Sequence, residues 1–479
     1  MPLVCRSWQS WLCGDDFRRG QIENSRTRLD RRVCRCISSE LSYYGVPAVP
    51  LSPPSSAKRI VSLDVLRGIA IGLVLFAHIP FDRPTDWFGY PTLKRLILSG
   101  WIGVDLFFVL SGFLVAGLLF REFQRRGTID VGRFLLRRGL KIWPSYYAAF
   151  GAMLALEILL GWFASGTADW GLIPRTWPSW LFLQNYAYNN WTWTWTLAVE
   201  EHFYLTIPFC LLLLLQFRER GDAQRRSRLI LGSMLAFCAC ILAARTAQAF
   251  RFPASAWKTL YYPTHFRVDS LLFGVLISYV YHFHRSWFER LRPYRILILL
   301  SALVLLAPVT LWPLGTGRFC VSIGFTLLYL AFGGILIVTM LTDWSRCPHH
   351  LARAAQPMVR VLQLLGIYSY TIYITHFALY RLVPDMNDAL RGWLTTHWGL
   401  STWPATLIIC TVYVVIAIGS GMLLSHVVER PVLAWRERRF RGHHVVEATA
   451  ATAAGPNDAP PIHTAPVSVP RLDWPTAPV

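Results

Sequence analysis

Ten apolar runs of near membrane-spanning length order the chain, at about 61 to 80, 101 to 120, 142 to 161, 197 to 216, 229 to 247, 267 to 283, 296 to 313, 320 to 341, 362 to 382 and 404 to 427. Each predicts a helix that buries its own backbone hydrogen bonds. The polar connections alternate in character. Those after the first, third, fifth, seventh and ninth runs are poor in Lys and Arg. The others carry Arg121, Arg125, Arg126, Arg133, Arg137 and Arg138, then Arg218, Arg220, Arg225, Arg226 and Arg228, then Arg285, Arg290, Arg292 and Arg295, then Arg346, Arg353 and Arg360. Basic connections stay on the cytoplasmic side of a membrane, so both termini are expected inside. The expected fold class is an all-α polytopic bundle of about ten transmembrane helices over residues 57–438. A basic, disordered N-terminal extension (1–56) and an Ala/Pro-rich disordered tail (439–479) are expected to flank it.

Composition agrees with a membrane chain. Of 479 residues 54% are hydrophobic and only 15% charged, with mean hydropathy +0.38, which is too apolar for an ordinary soluble protein. The net charge of +20 is spread through short connections rather than gathered in one patch, which argues against a nucleic-acid partner. Ten cysteines lack metal-ligand spacing, so neither a metal site nor a disulfide framework is expected. Residues 162–196 are rich in tryptophan and end in WTWTWT. An interfacial aromatic belt is the default reading of Trp191, Trp193 and Trp195, and stacking on a sugar ring is the alternative.

The polar residues inside the apolar runs carry the candidate chemistry, because an ionisable group at membrane depth is costly and commonly marks function. In the first run Arg67 and His78 are 11 positions apart, close to three whole helical turns. Both then lie on one face, with Cα atoms roughly 16 Å apart along the axis. For an isolated helix the alternative is that both side chains reach to opposite interfaces. The second run brings Asp105 near its outer end and Ser111 with Gly112 past its middle, where small residues suit either a ligand or close helix packing. Adjacent Glu200 and Glu201 point about 100° apart, so a given partner can face only one of them. Arg267 and Asp269 open the sixth run, and His376 falls in the outer half of the ninth. Seven groups thus gather toward one side, roughly half of them expected as structural ion pairs. On the other side stand Arg67 and the basic run with Arg137, Arg138 and Lys141. Cations inside and a histidine flanked by carboxylates outside suit an anionic donor entering from the cytoplasm, and acyl coenzyme A has that shape.

In these elements the chain resembles the integral-membrane acyltransferase 3 family. They are Arg67 with His78, FVLSG (108–112), RRGLKIWPSYY (137–147), WTLAVEEHFYL (195–205), HFRVDSLLFG (265–274), GIYSYTIYITH (366–376) and VERP (428–431). The resemblance implies an O-acyltransferase of a bacterial-type plasma membrane. It would move an acyl group, often acetyl, from cytoplasmic acyl coenzyme A to a hydroxyl of a glycan, a lipid or a small molecule, without a metal. It also implies that Arg67 and His78 are the essential pair. The sequence departs from the family pattern in three ways. Lys141 stands where a second arginine is usual, His202 stands where glutamine is usual, and the short tail leaves no room for the hydrolase-like domain some members carry.

The expected mechanism is direct transfer with His78 as general base, oriented by Asp105 or Glu200, with Glu201 nearby. Ser111 is a conceivable nucleophile without a base fixed beside it by spacing, and Arg267 is the guess for an oxyanion stabiliser. Ser111, Gly112, Arg267, Asp269 and His376 join the basic run as expected substrate-binding positions. A transporter of an acylated or anionic solute is the alternative function.

Overall fold

The computed structural model describes residues 61–80, 94–95, 97–187, 191–216, 223–253, 257–311, 318–344, 348–377 and 386–440. The expected tails fall outside these residues apart from 439–440. The main helices are α1 (Val61–Ala77), α2 (Gly103–Arg126), α3 (Val131–Ser165), α4 (Trp195–Gln216), α5 (Ala223–Arg251) and α6 (Val268–Phe283). They continue with α7 (Arg295–Leu311), α8 (Phe325–Leu341), α9 (His349–Ile367), α10 (Ser369–Thr375), α11 (Met386–Trp398) and α12 (Thr402–Leu424). The described residues contain no strand.

Among the described residues seven helical stretches are long and apolar enough to cross a membrane: Ser99–Arg126, Val131–Phe163, Thr192–Leu215, Ser227–Arg251, Arg285–Thr310, Cys320–Leu341 and Thr402–Phe440. The other three expected runs take different forms. The helix α1 has 17 described residues and α6 has 16, while the ninth run is not one helix: it breaks at Tyr368 between α9 and α10. The third run also begins earlier than its apolar pattern suggests. Asp130 caps α3 by accepting the backbone N–H of Arg133 at 2.9 Å, so Arg133, Arg137, Arg138 and Lys141 are helical rather than part of a loop. Both α2 and α3 end on glycines in the left-handed region, Gly127 (φ +71°) and Gly166 (φ +73°), a conformation that costs glycine little.

At the centre lies α2, with 78% of its apolar window buried against 11% for that of Arg285–Thr310 on the periphery. It packs on α1, α4, α6 and α8. Two of the crossings bring backbone onto backbone. A Cβ on Gly68 would lie 1.9 Å from the Leu362 carbonyl oxygen, and one on Gly366 would lie 1.8 Å from that of Asp64, so α1 and α9 meet through a pair of glycines. Gly112 and Gly274 do the same for α2 and α6: a Cβ on Gly112 would sit 1.9 Å from the Leu271 oxygen. Gly112 is therefore a packing residue, and the backbone of α6 occupies the place where a ligand was expected.

These crossings predict an asymmetric response to one methyl group. Gly366→Ala must push α1 and α9 apart and is expected to lower stability by about 1–3 kcal/mol or more. Gly72→Ala, where a Cβ meets nothing within 4 Å, is expected to be neutral. Thermal unfolding of the two detergent-purified variants beside the parent checks this. Equal melting temperatures would show that the crossing is not close-packed.

Candidate functional site

A cavity of about 100 Å³ opens between α1, α2, α3, α4 and the break at Tyr368, with the wide turn after α12 alongside. Among the described residues five side chains of the charged types line it: Arg67 from α1, Arg138 and Lys141 from α3, Glu200 from α4, and Glu429. Glu429 sits on a π-helical segment, Ser425–Glu429, that continues α12. A wide turn of this kind often occurs where a side chain has been redirected for function. Here Ser425 Oγ donates to Glu429 Oε2 at 2.7 Å, and Lys141 Nζ lies 3.9 Å from Glu429 Oε1. Arg138 is buried, with its guanidinium 5.4 Å from the centre of the Tyr204 ring. The remaining walls are mostly aromatic and aliphatic, from Phe107, Phe108, Ile142, Tyr204, Tyr370 and Tyr373. Such a volume is that of a few water molecules, so it suits one anionic group or the tip of a ligand rather than a whole coenzyme.

The adjacent glutamates diverge as their helical spacing requires. Glu200 faces the cavity, as Tyr204 does. Glu201 turns instead to Trp143, whose indole N–H donates to Glu201 Oε2 at 3.0 Å. Ser111 Oγ is 2.5 Å from the Tyr204 hydroxyl, so its partner is a phenol and not a histidine. Arg137 is exposed and does not line the cavity. Its carbonyl accepts a hydrogen bond from Arg436 at 3.2 Å.

His78 lies just past the end of α1, in a turn where its backbone N–H donates to the Leu75 carbonyl, and there it meets His376, with ring centroids 4.9 Å apart in an edge-on arrangement. The His78 Nδ1 lies 2.8 Å from the Val74 carbonyl oxygen, which only an N–H can satisfy. That bond places the proton on Nδ1 and leaves the Nε2 lone pair as the basic atom. His376 is set up in the same way, with Nδ1 2.6 Å from the Tyr373 carbonyl and Nε2 buried without a hydrogen-bond partner. Phe377 packs on His78 at 5.4 Å and on Trp193 at 5.2 Å, and Trp193 stacks on Trp191. The WTWTWT segment is thus folded inward: Trp191 and Trp195 are buried, and the expected interfacial belt does not form there. Trp162, Trp170, Trp177 and Trp180 are the exposed indoles of this region.

Two carboxylates expected at the site belong to the architecture instead. Asp105 accepts two hydrogen bonds from Arg267 Nη2, at 2.8 and 2.9 Å, and one from Ser270 Oγ at 3.2 Å. Both ends of the ion pair are fully buried, and the guanidinium lies 3.8 Å from the centre of the Phe325 ring. Asp105 therefore ties α2 to α6 and does not orient His78, whose tautomer the Val74 carbonyl already fixes. Arg267, engaged the same way, lines no part of the cavity and is not its oxyanion stabiliser. Asp269 pairs with Arg245 at 2.9 Å, and Arg245 also donates to the carbonyls of Ser322 and Phe266 and to Thr326 Oγ1. The sequence reading missed Arg245, which lies near the end of the fifth run, as well as the cavity positions Tyr204 and Glu429. Glu429 was visible only as part of VERP.

The family model described as an acyltransferase domain matches residues 60–422. The peptidoglycan O-acetyltransferase OatA of Listeria monocytogenes is 24% identical over 353 residues, covering 70% of this chain and 51% of that protein. The O-acetyltransferase OatA of Staphylococcus aureus is 25% identical over 243 residues, covering 47% of this chain and 35% of that protein. The chain thus spans about half the length, or less, of these curated relatives. No solved structure matches it. The family model by itself covers well over half of the sequence, and the chain belongs to the integral-membrane acyltransferase 3 family.

Proposed function

We propose that this protein transfers an acetyl group from acetyl coenzyme A, bound through the cationic cavity, to a glycan hydroxyl held beside His78. The observation that carries the reading is the pairing of two sites, one on α1 and one in the turn that directly follows it. Arg67 faces a cavity rich in cations, and His78, in that turn, keeps a basic Nε2 whose tautomer the backbone fixes. Three cations and two carboxylates around the cavity leave an excess of positive charge when all are ionised, which favours a phosphate of the donor. The names of the Listeria and Staphylococcus relatives support an acetyl group and, for the former, a peptidoglycan acceptor.

In the transfer step the acceptor oxygen bonds to the thioester carbonyl carbon while its proton passes to His78 Nε2. The carbon–sulfur bond then breaks, the leaving thiolate takes the proton back from Nε2, and the products are an ester and a free thiol. His376, whose buried Nε2 is a second unengaged acceptor, positions the hydroxyl of the acceptor. Ser111 stays hydrogen-bonded to Tyr204 and forms no acyl intermediate. The alternation of basic connections supports both termini on the cytoplasmic side, with the Trp-rich segment outside.

Three experiments test this reading. His78→Ala is expected to keep donor binding and lose at least ~10² in transfer rate, the lower end for removing a general base. Near-parental transfer by that variant would remove the central claim. On the donor side, Arg138→Ala and Lys141→Ala should raise the donor KM more than they lower kcat, because a phosphate contact holds ground state and transition state alike. Arg137→Ala, which touches no cavity wall, should change KM little. Unaltered donor affinity in calorimetry for the first two variants would rule out the cavity as its seat. Sidedness is read by labelling from outside: an impermeant thiol reagent should modify a cysteine introduced at the exposed position Trp170 but not one at the exposed position Arg225. The reverse pattern would invert the proposed orientation.

A further inference from the structure

Five arginines among the described residues are buried: Arg138, Arg245, Arg267, Arg391 and Arg436. Arg245 and Arg267 each hold an aspartate, Arg138 lines the cavity, and Arg436 donates to the carbonyl of Arg137. Arg391 has none of these arrangements. It sits on α11, where Leu390 and Leu394 pack with Leu400, Ala405, Ile408 and Ile409 into a small apolar cluster separate from the main core. Only 7% of the residue is exposed, and its Nε and Nη1 are buried without a hydrogen-bond partner. No ion pair and no stacking on an aromatic ring engages it among the described residues. Cys410 on α12 is within electrostatic range of the guanidinium.

A permanently charged, five-donor group enclosed by apolar side chains is unstable until an anion supplies acceptors. Its planar fork matches two oxygens of a phosphate, as a lysine's point charge does not. Two features of the surroundings indicate where that phosphate comes from. Trp393 and Trp398, on the same short helix, are 46% and 63% exposed, as indoles at the headgroup level of a bilayer are. The first turn of α12 carries no acidic residue, and the acid in the first turn of α11 is Asp388.

We propose that Arg391 and the adjoining faces of α11 and α12 form an anion site for the phosphodiester headgroup of an anionic phospholipid. The site is distinct from the catalytic cavity. The bound headgroup completes the hydrogen bonding of Arg391 and locks α11 against α12. This inference is independent of the acyl-transfer reading, since it uses none of the residues placed there.

The test is native mass spectrometry and thermal unfolding of the delipidated full chain in neutral detergent, titrated with phosphatidylglycerol, with phosphatidylcholine, or with inorganic phosphate. The parent is expected to retain one tightly held phosphatidylglycerol and to gain thermal stability from it. Arg391→Gln should weaken that binding by at least tenfold, and Arg391→Lys, which keeps the charge but loses the fork, by less. Arg353→Gln, at an exposed basic position on α9, should behave like the parent and serves as the control for general attraction between basic residues and anionic lipid. An Arg391-dependent response to phosphatidylglycerol but not to millimolar phosphate assigns the site to a lipid headgroup. The same dependence with phosphate alone assigns it to a free phosphate group and overturns the lipid assignment. If Arg391→Gln does not fold, the comparison of Arg391→Lys with the parent decides. Binding that is indifferent to position 391 overturns the proposal.

Discussion

Positive charges brought together in a membrane interior repel one another strongly, because the surroundings screen them poorly. The bundle resolves that constraint in two ways. Where a cation is structural, as with Arg245 and Arg267, a buried aspartate faces it and further oxygens or an aromatic face complete its surroundings. Breaking such a pair leaves one charge buried without its partner, which typically costs about 3–5 kcal/mol, so these pairs fix how α2, α5, α6 and α8 sit together. Around the cavity the match is incomplete. Among the described residues that line it, three cations, Arg67, Arg138 and Lys141, stand with two carboxylates, Glu200 and Glu429, and this composition makes the place a candidate for binding an anion.

The glycine crossings bear on the same constraint from the side of packing. Backbone contact between α1 and α9, and between α2 and α6, leaves no side chains between those helices to rearrange. Of the helices in these pairs α1, α2 and α9 contribute to the cavity wall, so Arg67 is presented by a helix held at fixed spacing from its neighbour. A small, charged and preorganised space of this kind favours selectivity for one group over capacity for many.

Much of this was legible in the sequence, and what was missed has physical causes. Helical geometry made Glu200 and Glu201 diverge, one to the cavity and one to Trp143, whereas the helix that carries Arg67 ends at Ala77, one residue short of His78. Apolar runs located most of the helices. They could not show that the ninth breaks at Tyr368, because apolar composition does not mark where a helix bends. Nor could they choose partners. Asp105, Arg267 and Asp269 were visible as polar groups in apolar runs, but pairing joins residues as distant as 105 and 267, and no local pattern encodes it. Arg245 escaped notice as the last charge before a run's end, and the inward turn of Trp191 and Trp195 escaped because a belt and a buried aromatic cluster have the same composition.

The separation of Arg67, on α1, from His78, just past its end, also bears on energetics. Moving one elementary charge across a membrane involves about 2.3 kcal/mol for each 100 mV of potential. If the phosphate-bearing part of the donor stays with the cavity cations and its uncharged thioester arm reaches the histidines, what passes between the two sites is electrically neutral. The arginines stay where helix packing holds them, and the proton taken up by His78 returns to the departing sulfur at the same level. Transfer would then neither draw on the membrane potential nor be opposed by it, and the thioester bond alone would supply the driving force, equally well in an energised membrane and a depolarised one.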